Sequence, residues 1–261
     1  MPTARKTIMS ELSEMERSKD VRVLLAVEAG SRLWGFESQN SDYDVRFVYA
    51  RPTDRYLSLE DGRDVIEWML DDKLDIVGWD VRKFMRLMRK SNPTVFEWIQ
   101  ATDPYTERPV FELLRELAPE CFDPRPHAHH YLGMARSHRR PHAKTGKITS
   151  KRYLYAVRAT LAAEWACKRR VMVPTSFEML CELMLDETTR AIVDGLVIDK
   201  KLGLEASECE PIEALDEWLA RKDSEIEVAA QAMTKREPCP IERMDGVFRD
   251  ILDETALTWD D

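Results

Sequence analysis

The feature that most constrains this fold is the apolar run VRVLLAVEA at 21–29, which ends directly before a Gly-Ser pair. A run that is apolar at nearly every position and rich in β-branched residues predicts a strand buried on both faces. A second strand is predicted at 44–50, DVRFVYA, where apolar and polar residues alternate more clearly. Asp42 and Asp44 therefore lie at the start of the second strand.

The first half of the chain is predicted to mix strands with helices. Two further strands, 64–70 and 73–79, are followed by a helix at 81–90, for which Asp80 is a suitable N-cap. A short helix capped by Ser10 is expected at 10–19. These elements predict a small mixed sheet with helices packed against it.

The second half changes character after the proline-rich segment 118–127. Its hydrophobic pattern favours helices throughout, which are predicted at 127–140, 149–170, 176–185, 187–200 and 211–236. The predicted fold class is therefore α/β (α+β), with a mixed-sheet domain at 1–122 and an all-helical domain at 123–261.

Composition excludes several classes of protein. The chain has 261 residues, no apolar run near the length of a membrane span, and no secretory leader at its start. We therefore expect a cytoplasmic protein with no membrane partner.

The charge of the chain is unevenly distributed. Its net charge is −9, yet the segment 136–170 carries eleven Lys or Arg residues against the single acid Glu164. We call 136–170 the basic strip. A basic strip in an acidic protein favours a polyanionic ligand held at that place, although a solvated helix face would show the same pattern.

All five histidines lie close together, at 127, 129, 130, 138 and 142. His138 and His142 have the spacing of a helical zinc pair, but Pro141 interrupts that helix. We expect the histidines to belong to the basic strip.

The Asp42 and Asp44 pair suits divalent metal chemistry. Side chains at i and i+2 of a strand project from the same face, so the two carboxylates can share one or two cations. Mg²⁺ accepts a few carboxylates and leaves positions for phosphate oxygens. A third acid on a neighbouring strand would complete the site, and Asp75 fits best because it is the polar residue of an apolar strand. Glu67 is the alternative.

Two further features of this segment suit a nucleotide. Gly30 lets backbone amides approach a phosphate closely, and Ser31 adds a hydroxyl donor, although turns use the same residues. Arg46 lies on the strand face of the two acids, where it would either guide phosphate or neutralise the carboxylates.

The spacing in GSRLWGFESQNSDYDVRF resembles the nucleotidyltransferase superfamily of DNA polymerase β type. The similarity is closer to its YcgL-like, RNA-repair-associated branch of predicted nucleotidyltransferases, through DYDVRFVYARPTDRYLSL, LDIVGWDVRKFMRLMRKSNPTVFEW and KRYLYAVRATLAAEW. By position, the resemblance implies that Asp42, Asp44 and Asp75 bind metal and complete the site. It implies that Gly30 and Ser31 hold the triphosphate.

The resemblance also implies that the helical half closes a nucleotide cleft. Four residues recur at helical spacing in this half and are expected to contact the nucleotide: Lys147, Lys151, Tyr155 and Arg158.

The expected reaction is Mg²⁺-dependent, or Mn²⁺-dependent, transfer of a nucleoside monophosphate from an NTP to a hydroxyl, with release of pyrophosphate. The basic strip favours an RNA 3′ end as acceptor. Two alternatives stay open: transfer to a protein side chain or small molecule, and a nucleotide-sensing module without turnover.

Overall fold

The computed structural model describes residues 2–38, 41–71, 73–145, 148–204 and 208–256. Within these ranges, no helix combines the length and the apolar character that crossing a membrane requires.

A five-stranded mixed sheet forms the centre of the first half. In chain order its strands are β1 (Arg22–Glu28), β2 (Tyr43–Ala50), β3 (Val65–Asp71), β4 (Leu74–Asp80) and β5 (Thr106–Glu107). Across the sheet the order is β3-β4-β2-β1-β5. β2 and β4 run parallel, whereas the other neighbours pair antiparallel. The predicted strands are therefore confirmed, each within about a residue of its predicted bounds.

Helices occupy most of the rest of the described chain. They are α1 (Pro2–Lys19), α2 (Gly30–Trp34), α3 (Thr53–Tyr56), α4 (Val81–Arg89), α5 (Pro93–Ile99), α6 (Glu112–Cys121), α7 (Pro124–Thr145), α8 (Ser150–Arg169), α9 (Phe177–Met184), α10 (Glu187–Lys201), α11 (Glu213–Ala232) and α12 (Ile241–Ala256). A 3₁₀ turn at Pro109–Phe111 precedes α6. α1 begins at Pro2, so Ser10 lies inside the helix and is not its N-cap as predicted.

Local sequence explains where several helices begin. Asp80 caps α4 by accepting a hydrogen bond from the backbone N–H of Arg82. Asn92 caps α5 in the same way, and Pro93 takes the first helical position, where no N–H is needed. Each cap supplies an acceptor to a backbone N–H that has no partner within its own helix.

The sheet buries both of its faces. One face packs against α1 through Ile8, Leu12 and Met15. The other face packs against α4, α5, α6 and α12. β1 is buried at its five central positions, as its apolar run requires.

The second half is helical, as expected, with two differences. α7 continues through Pro141, which was expected to interrupt it. α7 and α8 form an antiparallel pair at its centre, and α9, α10 and α11 pack around α8. Ile148–Thr149 (β6) and Glu208–Cys209 (β7) form a two-residue antiparallel pair that the sequence did not suggest. The fold class is thus a mixed α/β domain followed by a helical region.

Candidate active site

The structure brings two of the three predicted acids side by side. Because β2 and β4 pair in parallel, Asp44 and Asp75 are register partners on adjacent strands. Asp42 lies just before β2 and is exposed. Glu67 is one strand further away and pairs with Val77, two residues along from Asp75. Asp75 is therefore the acid of the two alternatives that adjoins Asp44.

Arg46 occupies the space between these carboxylates. Its Nη2 donates to Asp75 Oδ2 at 2.8 Å and to Asp44 Oδ1 at 3.3 Å. Its Nη1 donates to two backbone carbonyls, those of Val45 and Asp75, at 3.0 and 3.1 Å. A guanidinium thus holds the two strands and their acids together as a local cation.

The pKa of Asp44 is raised above its ordinary value, chiefly by burial. The charge of Arg46 opposes that shift, the nearby carboxylates of Asp75 and Asp42 add to it, and Lys151 lowers the pKa again. A further positive charge nearby would stabilise the ionised form of Asp44, so this carboxylate is suited to bind a cation.

Glu28 supports the acid pair, and sequence reasoning missed it. Its Oε1 accepts the backbone N–H of Asp44 at 2.9 Å, and its Oε2 accepts the hydroxyl of Tyr105. Burial raises the pKa of Glu28, while the bonds from Tyr105 and Asp44 lower it. An acid at the end of an apolar strand, directly before the Gly-Ser pair, was the available signal.

Gly30 approaches Asp44 more closely than any side chain would allow. Its φ is +61°, and a Cβ at this position would meet Asp44 Oδ2 at 2.5 Å. Ser31 follows at the start of α2 and is buried, with its hydroxyl 3.5 Å from that of Ser41. The predicted glycine-serine loop is thus the first turn of a short helix that lies against the acids.

Arg32 holds the segment before β2 in place. Its role was also missed by sequence reasoning. Its guanidinium donates to the carbonyls of Ser41 at 2.6 Å and Asp42 at 3.1 Å. The same group lies 4.0 Å from the centre of the Tyr43 ring. Three consecutive residues are therefore held by one side chain of α2.

The first turn of α8 lies near the acids. Lys151, exposed at this end of the helix, is close enough to lower the pKa of Asp44. Tyr155, one turn further, is half-buried and packs edge-on against Trp34 with ring centres 5.2 Å apart. Lys147, which the sequence also suggested, lies outside the described residues.

Arg158 does not reach this site. It is 1% exposed, donates to Glu97 Oε1 at 2.9 Å, and stacks 3.8 Å from the Trp34 ring centre. Glu97 also accepts from the hydroxyl of Tyr131 at 2.7 Å and from the indole N–H of Trp34 at 3.4 Å. Arg158 thus has a structural place where α2, α5, α7 and α8 meet.

The basic strip is partly neutralised by neighbouring acids. Arg136 pairs with Asp223 and Glu227 of α11, and Lys168 pairs with Glu164. Its remaining positive charge near the acids includes Lys151.

The histidines do not form a metal site within the described residues. His127 is buried against Phe96 and Phe122, with its Nδ1 3.1 Å from the Ser91 hydroxyl. His138 packs against Tyr155. The expectation that the histidines belong to the basic strip therefore fails for His127, which is buried against the apolar cluster of the first half.

The acids fit a divalent cation by donor chemistry. No three His, Cys, Asp or Glu side chains in the described ranges are gathered closely enough to hold a metal. However, Asp44 and Asp75 already share one cation, the Arg46 guanidinium, and hard carboxylate oxygens are the ligands that Mg²⁺ prefers.

Comparison with known proteins confirms the resemblance seen in the motifs. Residues 4–250 match the family described as the RNA repair pathway DNA polymerase beta family. The chain is 37% identical over 231 residues to the uncharacterized protein YcgL of Bacillus subtilis (strain 168), covering 88% of this chain and 89% of that protein. A nucleotidyltransferase-like protein from Exiguobacterium sibiricum 255-15 shares 15% identity, at a TM-score of 0.31 over 88% of this chain and 75% of that one. Because the family match spans nearly all of its 261 residues, the chain belongs to the RNA repair pathway DNA polymerase beta family.

Proposed function

We propose that this protein is a divalent-metal-dependent nucleotidyltransferase that moves a nucleoside monophosphate from an NTP to a hydroxyl and releases pyrophosphate. One observation carries the proposal. Asp44 and Asp75 lie in register on neighbouring parallel strands, and Gly30 packs against Asp44. Asp42 lies just before β2, near enough to raise the pKa of Asp44. Membership of a nucleotidyltransferase-like family supports the same reaction class.

The proposed metal ligands are the carboxylates of Asp42, Asp44 and Asp75. Bound Mg²⁺ or Mn²⁺ would stabilise the charge that develops on the attacking and leaving oxygens. Glu28 keeps Asp44 in place through its backbone N–H. Asp75 is the acid proposed to lie nearest the attacking hydroxyl and to accept its proton.

The proposed triphosphate partners are close to Asp44, since Gly30 packs against it and Lys151 is near enough to lower its pKa. Gly30 and Ser31 would offer backbone and hydroxyl donors, and Lys151 would offer a positive charge. Tyr155 would border the nucleoside. Arg158 is left out of this set because its guanidinium is buried against Glu97.

An RNA 3′ end is the proposed acceptor. The family's RNA-repair description and the remaining positive charge of the basic strip support this choice. The ion pairs of Arg136 and Lys168 reduce the charge available to a phosphate backbone, so we expect moderate, salt-sensitive RNA affinity.

The test is transfer of label from each α-labelled NTP, with Mg²⁺ or Mn²⁺, to RNA, to protein extract or to small hydroxyl compounds. Asp42→Asn and Asp44→Asn should abolish transfer. Asp54→Asn, an exposed aspartate of α3, is the matched control and should retain it.

Label on RNA that requires the two acids would support the proposal. Label on protein or on a small molecule would keep the reaction and change the acceptor. Metal-dependent NTP binding without transfer to any of the three would favour a sensing module.

A further inference from the structure

Arg46 makes four hydrogen bonds to groups of β2 and β4, beside the proposed metal ligands. One nitrogen bridges Asp44 and Asp75, and the other is fixed by two backbone carbonyls on the same two strands. The Arg46 side chain is 21% exposed, against 36% and 34% for the two acids. Arg46 is therefore more enclosed than the groups it neutralises.

This guanidinium lies between two of the three proposed metal ligands, Asp44 and Asp75. A divalent cation shared by Asp44 and Asp75 and the charge of Arg46 would repel each other at such short range. A triphosphate changes this balance, because its negative charge attracts both the metal and a guanidinium.

We propose that Arg46 is a built-in counter-ion that weakens binding of a free divalent cation and turns to the phosphates when cation and triphosphate arrive together. This inference rests on the proposed function, because it concerns the same acids. It makes metal binding depend on nucleotide, so that Arg46 acts as a positioning residue with two alternate partners.

The experiment measures Mn²⁺ binding to the full chain by electron paramagnetic resonance, with and without inorganic tripolyphosphate. The wild-type protein should bind free Mn²⁺ weakly and the combined ligands more tightly. Arg46→Gln should bind free Mn²⁺ about tenfold more tightly, equal to about 1.4 kcal/mol, and should gain less from tripolyphosphate. These opposite shifts distinguish an exchange of partners from simple support of the fold.

Arg51→Gln is the matched control. Arg51 follows the same strand at its far end, has a similarly enclosed side chain, and pairs with Asp80 at 3.7 Å. Its loss should leave both affinities unchanged.

Arg46→Lys is a second variant, to be used if circular dichroism shows that Arg46→Gln does not fold. Lysine keeps the charge but lacks the fork that joins both carboxylates, so we expect an intermediate gain of about threefold in free Mn²⁺ affinity.

Unchanged or weaker free Mn²⁺ binding in the folded Arg46 variants would overturn the inference. If the wild type still binds Mn²⁺ with tripolyphosphate, and Asp44→Asn does not, the proposed metal site survives that result. Asp44-independent Mn²⁺ binding under every condition would instead overturn the metal site itself, and the inference with it.

Discussion

Replacement of Gly30 should reduce activity through the geometry of the site far more than it reduces the stability of the fold. Gly30→Ala would place a Cβ 2.5 Å from Asp44 Oδ2, at a φ of +61° that alanine adopts reluctantly. Asp44 must then move, and we expect transfer activity to fall about a hundredfold, as displacements near 1 Å do at reacting centres. Initial rates of label transfer give the measurement.

Gly35→Ala is the control for that substitution. Gly35 follows α2 with a φ of +84°. Apart from its chain neighbours and the backbone of α2, no atom of the described residues lies within 4 Å of its Cβ position. Both variants should lose about 1 kcal/mol of stability through the left-handed backbone. Equal loss of activity in the two variants would show that backbone strain, and not contact with Asp44, sets the requirement for glycine.

His127 should make the folded protein sensitive to acid. Burial lowers its pKa from an ordinary 6.5 to about 3, so the imidazole is neutral in the folded chain. Between these values the unfolded chain binds a proton that the folded chain does not. Stability is therefore lost as the pH falls from about 6.5 towards 3, at roughly 1.4 kcal/mol per pH unit.

Urea unfolding at pH 7 and pH 5 tests this. Wild type should lose about 2 kcal/mol more than His127→Gln between the two pH values. His129→Gln, at an exposed position of the same helix, should keep the wild-type pH dependence. Parallel curves for wild type and His127→Gln would assign the acid sensitivity to other groups.

Residue spacing predicted which side chains share a helix face but not what covers that face. Lys151, Tyr155 and Arg158 do lie along one side of α8. The first is exposed, the second half-buried and the third fully enclosed, because α8 runs from the site into the core. Arg46 shows the converse: its strand face was predictable, whereas its bridging of two carboxylates depends on the parallel pairing of β2 with β4.

At the scale of elements, Glu97 of α5 connects α2 to the helical half. It accepts hydrogen bonds from Trp34 of α2 and from Arg158 of α8. Arg158→Met would leave the buried Glu97 carboxylate without its cation, and removal of one partner of such a pair costs about 3–5 kcal/mol. We expect that loss of stability in urea unfolding. Lys151→Met, on the exposed end of the same helix, should leave stability unchanged and weaken NTP binding.

The double variant Arg158→Met/Glu97→Gln checks the cause. It should recover part of the lost stability, because the uncompensated carboxylate is gone. Should Arg158→Met keep full stability and lose NTP affinity, Arg158 would return to the nucleotide site where its sequence position suggested it.

Elements with strong internal signals were predictable, and those defined by their neighbours were not. β1 to β4 and the Asp80 cap followed from alternation and capping chemistry. α2 was not predicted, because a helix of only five residues that begins with Gly30 and is followed by Gly35 has little helical propensity. It depends on the insertion of Trp34 into the helical core. α12 was also overlooked, although the spacing of Met244, Val247 and Ile251 is a helical signal.

At the scale of the whole molecule, α12 packs against the mixed-sheet half although it lies more than a hundred residues further along the chain. The predicted division at 122/123 assigned all of 123–261 to the second domain. In the structure, Met244, Val247 and Ile251 belong to the same apolar cluster as β1, β2 and α4–α6. Phe248 also packs edge-on against Tyr56, with ring centres 5.2 Å apart. We therefore infer that the first unit includes α12.

This arrangement predicts that the first half does not fold without α12. Truncation after Met233 would expose the core side chains that α12 covers, each worth about 1.5–3 kcal/mol, against a total stability of about 5–15 kcal/mol. We expect the truncated chain to lose its cooperative thermal transition by circular dichroism and to aggregate on size exclusion.

Truncation after Ala256, which keeps α12, is the control and should melt as the full chain does. A cooperative, near-wild-type transition without α12 would instead support the division at 122/123 and make the helix an accessory to a core that is complete before it.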